Sequence, residues 1–250
     1  MEYLVFGIAG ALLGILFLYW SNLERSRLEK ILAAGVSKIS DLTGPVEKSG
    51  CLVEINGSIR SEKPLQAPYS NRECVYYFSK TEEKLEKFTR RDGSAVVPTI
   101  QHRTTDEKVH MTSFQVDDGS GCIWVSPEGA KIVPCAVIDR FDEKTQDEGG
   151  ILAGVARMIG IEGTERVLGH SRKEEILPIG QQVYILGELD TSGGTPRVKK
   201  PSSITDDFLI SVRSGEDVVA SAKKRGATFF RLGLIFFVAG VALTIFSFAY

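Results

Sequence analysis

The chain has 250 residues, 43% of them hydrophobic, with 30 Lys and Arg against 32 Asp and Glu and a net charge of −2. So balanced a charge gathers no polyanion, and nucleic acid is not among the expected partners. Four cysteines (Cys51, Cys74, Cys122 and Cys135) stand singly, without the paired spacing of a zinc site, so no metal and no cofactor is expected.

The first element is YLVFGIAGALLGILFLYW, residues 3–20, apolar and uncharged. Such a run is long enough to cross a bilayer core of about 30 Å, and in lipid a lone segment satisfies its own backbone only as a helix. No Lys or Arg precedes it and no small-x-small cleavage site follows Trp20, so 1–21 reads as an uncleaved transmembrane anchor rather than a secretory signal. Within it, Gly10 and Gly14 are spaced so that two helices can approach closely, which makes them candidates for helix packing or self-association. An ordinary glycine-rich span is the alternative.

Residues 22–45 form a connecting segment. Leu23, Leu28, Ile31, Leu32, Val36 and Ile39 recur near helical spacing, predicting a helix over 21–43 that Gly44-Pro45 stops. Residues 46–213 are then expected to be one β-rich domain. CLVEINGSIR (51–60) alternates until Gly57, where a bulge is expected. ECVYYFSKTEEKLEK (73–87) starts aromatic and turns charged, so 81–93 reads as a solvated hairpin or loop face. VHMTSFQV (109–116) and CIWVS (122–126) flank the turn DDGSG. KIVPCAVIDRF (131–141) reads as the next strand, with Pro134 marking an edge or bulge. A turn at 127–130 would set Cys122 opposite Cys135, although a reducing compartment favours two free thiols. QQVYILGELD (181–190) and TPRVKK (195–200) flank TSGG, and DDFLISVR (206–213) is the last strand.

ILAGVARMIG (151–160) breaks the β pattern. Ile151, Leu152, Val155, Met158 and Ile159 fall on one face of a short amphipathic helix, expected either to pack on the sheet or to lie on the membrane surface.

A basic linker, 214–231, leads into LGLIFFVAGVALTIFSFAY, 232–250, read as a complete second transmembrane helix. Arg25, Arg27 and Lys30 follow the first span, and Lys223, Lys224, Arg225 and Arg231 precede the second. Both clusters place the central domain in the cytoplasm and both termini outside, with the cations near anionic headgroups. The fold class expected is an α+β membrane protein, a barrel-like or sandwich domain with a few helices held between two transmembrane helices.

Catalytic signatures do not emerge. The sequence has no GxSxG, HExxH, P-loop or GxGxxG motif. Asp117-Asp118-Gly119 lacks a third acidic ligand at EF-hand spacing and reads as a turn. His102, with Asp106, Glu107 and His110 nearby, has no accompanying nucleophile.

The motif order VEINGSIRSEKPLQAP (53–68), ECVYYF (73–78), IQHRT (100–104), FQVDDGSGCIWVSPEGA (114–130) and EEILPIGQQVYILGELD (174–190) resembles the GIDE domain, also called BAM for "beside a membrane". The resemblance covers nearly the whole chain, both spans included. It implies a domain lying between two transmembrane helices, as in membrane-anchored RING ubiquitin ligases of mitochondria and chloroplasts. Prokaryotic relatives are similar to the membrane part alone. In the ligases a zinc-holding RING finger follows the second span; here nothing follows Tyr250, and the scattered cysteines cannot stand in for it. The resemblance thus implies shared ancestry with the ligases, and the expectation is a RING-less, prokaryotic-type homologue without ligase activity. The mitochondrial domain faces the intermembrane space, whereas the basic flanks of this chain favour the cytoplasm.

The expected function is a non-catalytic, two-span interaction module with the lipid bilayer and a protein partner, or a second copy, as its contacts. Two alternatives remain: an enzyme or ligand binder in which His102, His110 or Cys74 converge, and a lipid sensor using helix 151–160.

Overall fold

The computed structural model describes residues 2–43, 49–90, 96–143, 165–203 and 207–249. The expected amphipathic helix with Ile151, Leu152, Val155, Met158 and Ile159 lies outside the described residues. The chain divides into two units: 1–58, 115–133 and 182–250 form the first, and 59–114 with 134–181 the second.

In the first unit, helix α1 runs unbroken from Glu2 to Ala34. The expected connecting helix therefore continues the first apolar run instead of reaching Gly44-Pro45. Its end is set by Gly35, whose φ of 63 is the left-handed conformation a residue with a Cβ resists. Val36 then bridges Glu54 and the Ser37 amide donates to the Glu54 carbonyl at 2.8 Å, fixing the chain as it leaves α1. A short helix α2, Ile39–Leu42, follows with both named ends buried.

Strands β1 (Leu52–Arg60), β5 (Phe114–Asp117), β6 (Cys122–Val125), β11 (Arg197–Lys199) and β10 (Gln182–Asp190) pair in that order, and β10 pairs back to β1, closing a five-membered ring. Closure makes this the barrel alternative of the expected pair and removes the open edges a flat sheet would present. Val53, Ile55, Val183, Ile185 and Val198 are buried, and the register Ile55↔Ile185 and Gly57↔Val183 places β1 and β10 side chains on a common face. Gly57 sits in unbroken register with β10, so the expected bulge does not form on that side. A Cβ there would lie 2.6 Å from Val116 Cγ1, and the glycine exists to let β5 approach.

Alternation puts Leu52, Glu54, Tyr184 and Leu186 on the other face of β1 and β10. Strand β12 (Leu209–Ser211) lines β10 beside them, and β7 (Lys131–Val133) pairs with β12. The DDGSG and TSGG turns join neighbouring strands as expected. The turn at 127–130 does not make a hairpin: β6 goes to β11 and β7 to β12, so Cys122 is not set opposite Cys135 by strand pairing. KIVPCAVIDRF is likewise two strands. Pro134, which has no amide to donate, separates β7 from β8 (Cys135–Glu143), and the two belong to different sheets.

The second unit is a five-stranded sheet. Strand β3 (Glu73–Arg90) is flanked on one edge by β9 (Glu165–Pro178) and then β8, and on the other by β2 (Leu65–Gln66) followed by β4 (Val96–Met111). At about 3.3 Å per residue, the 18 residues of β3 extend roughly 60 Å. The charged stretch 81–90 is thus strand throughout. It pairs across the sheet through Glu83–Arg103 at 2.7 Å and Lys87–Glu165 at 3.0 Å, while Lys84 lies 5.4 Å from the Phe141 ring centre. The exposed edge of β4 carries Pro98 and a bulge opposite Thr81/Glu82, both of which discourage edge-to-edge pairing. Gly169 lies under Phe141, whose Cζ would be 2.5 Å from a Cβ there, so the aromatic ring covers a position too crowded for any side chain.

One buried carboxylate organises this sheet. Glu174 is 0% exposed and accepts the Tyr69 amide at 2.7 Å and the Ser70 amide at 3.1 Å, pinning the turn between β2 and β3. Asn71, with φ 54, closes that turn, and Tyr69 shares a 2.6 Å hydrogen bond between its hydroxyl and Thr81.

Candidate functional site

The final element is helix α3, Gly215–Ala249, which pairs antiparallel with α1. Leu4–Ser26 of α1 and Gly215–Ser247 of α3 are each long and apolar enough to cross a membrane. Side chains such as Phe6, Leu12, Ile235 and Ile245 are exposed, with nothing among the described residues to cover them, the arrangement that suits hydrocarbon as surroundings.

The seam between the two helices is made of small residues seven apart. Gly7, Gly14 and Ser21 on α1, and Gly226, Gly233 and Gly240 on α3, are all buried. A Cβ at Gly14 would sit 2.5 Å from the Phe237 amide nitrogen, and one at Gly240 would be 2.7 Å from the Gly7 carbonyl oxygen and clash with the Ala11 nitrogen. Gly10 faces α3 too, with Gly240 Cα at 3.3 Å from where its Cβ would be. The glycine face of α1 is therefore occupied within the chain by α3. The seven-residue repeat of small residues that marks this seam is visible in the sequence. Backbones this close let polar groups meet as well: the Ser21 hydroxyl donates to the Gly226 carbonyl at 3.1 Å.

Around Ser21 an aromatic cluster meets the cations. Phe17 stacks on Phe229 and Phe236 with ring centres 6.2 and 5.8 Å away, and Trp20 meets Phe229 edge-on at 6.0 Å. Arg25 lies 5.3 Å above the Phe230 ring, and Arg225 comes within 3.9 Å of Glu24. Lys223, Lys224, Arg225 and Arg231 are exposed on α3; Arg27 and Lys30 lie on α1. Aromatics bordered by Lys and Arg are the composition of a membrane–water boundary.

Where α3 meets the barrel, its start is built for rigidity. Ser214 caps it, its hydroxyl accepting the Asp217 amide at 3.2 Å and donating to the Asp217 carboxylate at 2.9 Å. Val218 and Val219 pack on Tyr184 and Leu186, as Leu52 and Leu209 do. A Cβ at Gly215 would be 2.7 Å from Tyr184 Cε2 and 3.1 Å from Glu54 Oε1, so this glycine is a point of contact between helix and barrel. Burial pushes the Glu54 carboxyl above its ordinary value, with the Tyr184 hydroxyl opposing. Tyr184 is pushed up as well, by burial first and by the Glu54 charge second.

The chain from α1 is tied down separately. Asp118, in the β5–β6 turn, accepts the Ile39 amide at 2.9 Å, the Ser120 amide at 2.8 Å and the Gly121 amide at 3.2 Å. Partial burial acts to raise its carboxyl, but these hydrogen bonds outweigh it and hold Asp118 below the ordinary carboxylate value. Its oxygens are committed to backbone amides, which explains the DDG motif without a cation. A depressed pKa in the folded state stabilises above the unfolded carboxylate pKa of about 4, and that stabilisation disappears as pH falls through the folded value. Asp118→Ala is expected to loosen residues 39–43 by about 1–2 kcal/mol, read as faster amide hydrogen exchange there at neutral pH. The difference from the parent protein should shrink in acid.

The remaining candidate residues do not assemble into a catalytic set. Cys74 is wholly buried, its Sγ 3.6 Å from the Leu65 carbonyl oxygen, and its thiol is pushed up to about 11 by burial first and by Glu174 second. His110 packs against Tyr77 at 5.1 Å between ring centres, whereas His102 lies eight residues along β4, an extended separation of about 26 Å. Cys51, Cys122 and Cys135 are free thiols. Among the described residues, no group of three or more His, Cys, Asp or Glu is placed to hold a metal ion.

A family model described as GIDE, E3 ubiquitin ligase, matches residues 85–245, more than half of the chain. No curated protein and no solved structure matches it.

Proposed function

The chain belongs to the GIDE family, and from that premise we propose that it is a non-catalytic interaction module held beside a membrane, presenting its β-rich units to a protein partner. The observation that carries this reading is the double attachment of the barrel. Its β1–β10 face receives α3 through Gly215, Val218 and Val219, while α1 returns through Val36 and the Asp118-bound residues 39–42. Both apolar helices are thereby coupled stiffly to the barrel, which suits holding a surface at a defined height and suits a catalytic lid poorly.

Ubiquitin-ligase activity, which the family description names, is not part of this reading. A RING needs paired zinc ligands, and the four cysteines of residues 1–250 stand singly. We propose in addition that the domain faces the cytoplasm with Tyr250 outside, a reading supported by the basic residues that flank both apolar runs.

Photo-crosslinking from intact membranes, with mass-spectrometric identification of neighbours, tests the module. The same partner is expected repeatedly from probes on the β-rich units, while purified chain supplied with activating enzyme, conjugating enzyme and ubiquitin forms no conjugates. Chain-dependent conjugates, or no reproducible neighbour, would reject the reading. Activity of a periplasm-dependent reporter fused after Tyr250 checks the orientation.

A further inference from the structure

We propose that a groove on the flank of α3, lined by Ser221, Lys224, Arg225, Thr228 and Phe229, is a binding site for the headgroup of an anionic membrane phospholipid. The groove encloses about 340 Å³. Its residues recur at helical spacing, 221, 225 and 229 with 224 and 228, so a single face of α3 presents all of them.

Their order along the axis matches the chemistry of a lipid. Phe229, packed on Phe17 and Trp20, forms the apolar end and lies next to the span. Arg225 and Lys224 stand four and five residues further from it, about 6–7.5 Å of helical rise. That is close to the depth of the headgroup layer, which occupies about 5–7 Å on each side of the hydrocarbon core. The two cations therefore lie at phosphate height when the ring lies at the acyl boundary. Ser221 comes last, toward water, where headgroup hydroxyls would be.

The cations have spare capacity. Among the described residues no carboxylate pairs with Lys224, and the carboxylate of Glu24 approaches Arg225 only to 3.9 Å. A phosphodiester would give the guanidinium a two-pronged acceptor that this distant contact does not. Thr228 donates its hydroxyl to the Lys224 carbonyl at 2.9 Å, which fixes the rotamer at the floor of the groove. Charge, polarity gradient and continuity with the apolar span all favour a membrane lipid over a soluble phosphate, whose binding would need no ring at one end.

The inference rests on the membrane-anchored reading above, and its test separates the two. The full chain is purified in a neutral detergent, and native mass spectrometry follows its adducts with phosphatidylglycerol and, in parallel, phosphatidylcholine. A one-to-one phosphatidylglycerol adduct is expected, and added inorganic phosphate should not compete with it. K224Q/R225Q should weaken this adduct on the order of 25-fold, each cation near a bilayer surface contributing roughly fivefold. Removing two cations outside the groove, K223Q/R231Q, should cost only about twofold. Equal adducts with both lipids, equal losses in the two variants, or displacement by phosphate would each overturn the site. Circular dichroism and gel filtration establish that the variants fold. Release of the chain from membranes by alkaline carbonate would instead defeat the anchored reading itself.

Discussion

Replacing Gly240 by leucine is expected to break the α1–α3 pair. No rotamer relieves the substitution, because the obstruction begins at Cβ. That atom alone would be 2.7 Å from the Gly7 carbonyl oxygen and 2.8 Å from the Gly10 carbonyl carbon, both rigid backbone. The helices must separate, losing the close packing that holds membrane helices together where lipid is as apolar as leucine. Overpacking a tight core costs about 1–3 kcal/mol, and backbone obstruction on both sides puts this case at the upper end or beyond. The measurement is thiol crosslinking of F17C with F236C by a short bifunctional reagent, at positions whose rings stack across the two helices with centres 5.8 Å apart. Gly240→Leu should reduce the crosslink several-fold, and Gly240→Ala should do so partly. Leucine at Ala239, an exposed neighbour, should leave it unchanged. An undiminished crosslink in Gly240→Leu would mean that the seam is not where the helices meet.

The second large effect is expected at Glu174. Truncation to alanine removes the acceptor of the Tyr69 and Ser70 amides. Hydrogen bonds to a charged group are worth about 1.5–3 kcal/mol each, and buried donors left without a partner carry a desolvation penalty. A loss of about 3 kcal/mol or more is expected in chemical unfolding of the full chain. It should be accompanied by faster hydrogen exchange across residues 65–79, because the turn between β2 and β3 is released. Glu174→Gln keeps an acceptor oxygen and should lose roughly half as much. Equal stability of Glu174→Ala and the parent would show that the turn is held by Asn71 and the Tyr69–Thr81 contact alone.

These two residues also measure how far the sequence could be read. Glu174 lies in a run, KEEILP, where it looks like one more surface charge; its burial depends on a turn a hundred residues earlier folding over it. Nothing local distinguishes it from Glu175. Gly240 belongs to a repeat that was legible, yet a glycine in an apolar run reads equally as filler until its partner helix is in place. Cys74 and His110 looked like reactive groups by residue type alone. Burial removed the first, and strand geometry separated His110 from His102.

What the amino-acid sequence determined by itself is whatever depends on near neighbours. Uncharged runs at both ends dictated helices long enough for a bilayer. Alternating apolar residues dictated strands, and DDGSG and TSGG dictated the tight turns between adjacent ones. Composition placed cations beside both apolar runs. Tertiary structure alone decided whatever depends on which distant segments meet. The ring closed because β10 returned to β1, and Gly57 proved a point of close approach instead of a bulge because β5 lies against it. Pro134 became the junction of two sheets because β7 found β12 while β8 found β9. The physical reason is common to all three. Periodicity and turn chemistry are fixed by backbone dihedrals within a few residues, whereas burial, close approach and strand partnership are properties of pairs whose members lie tens to hundreds of residues apart.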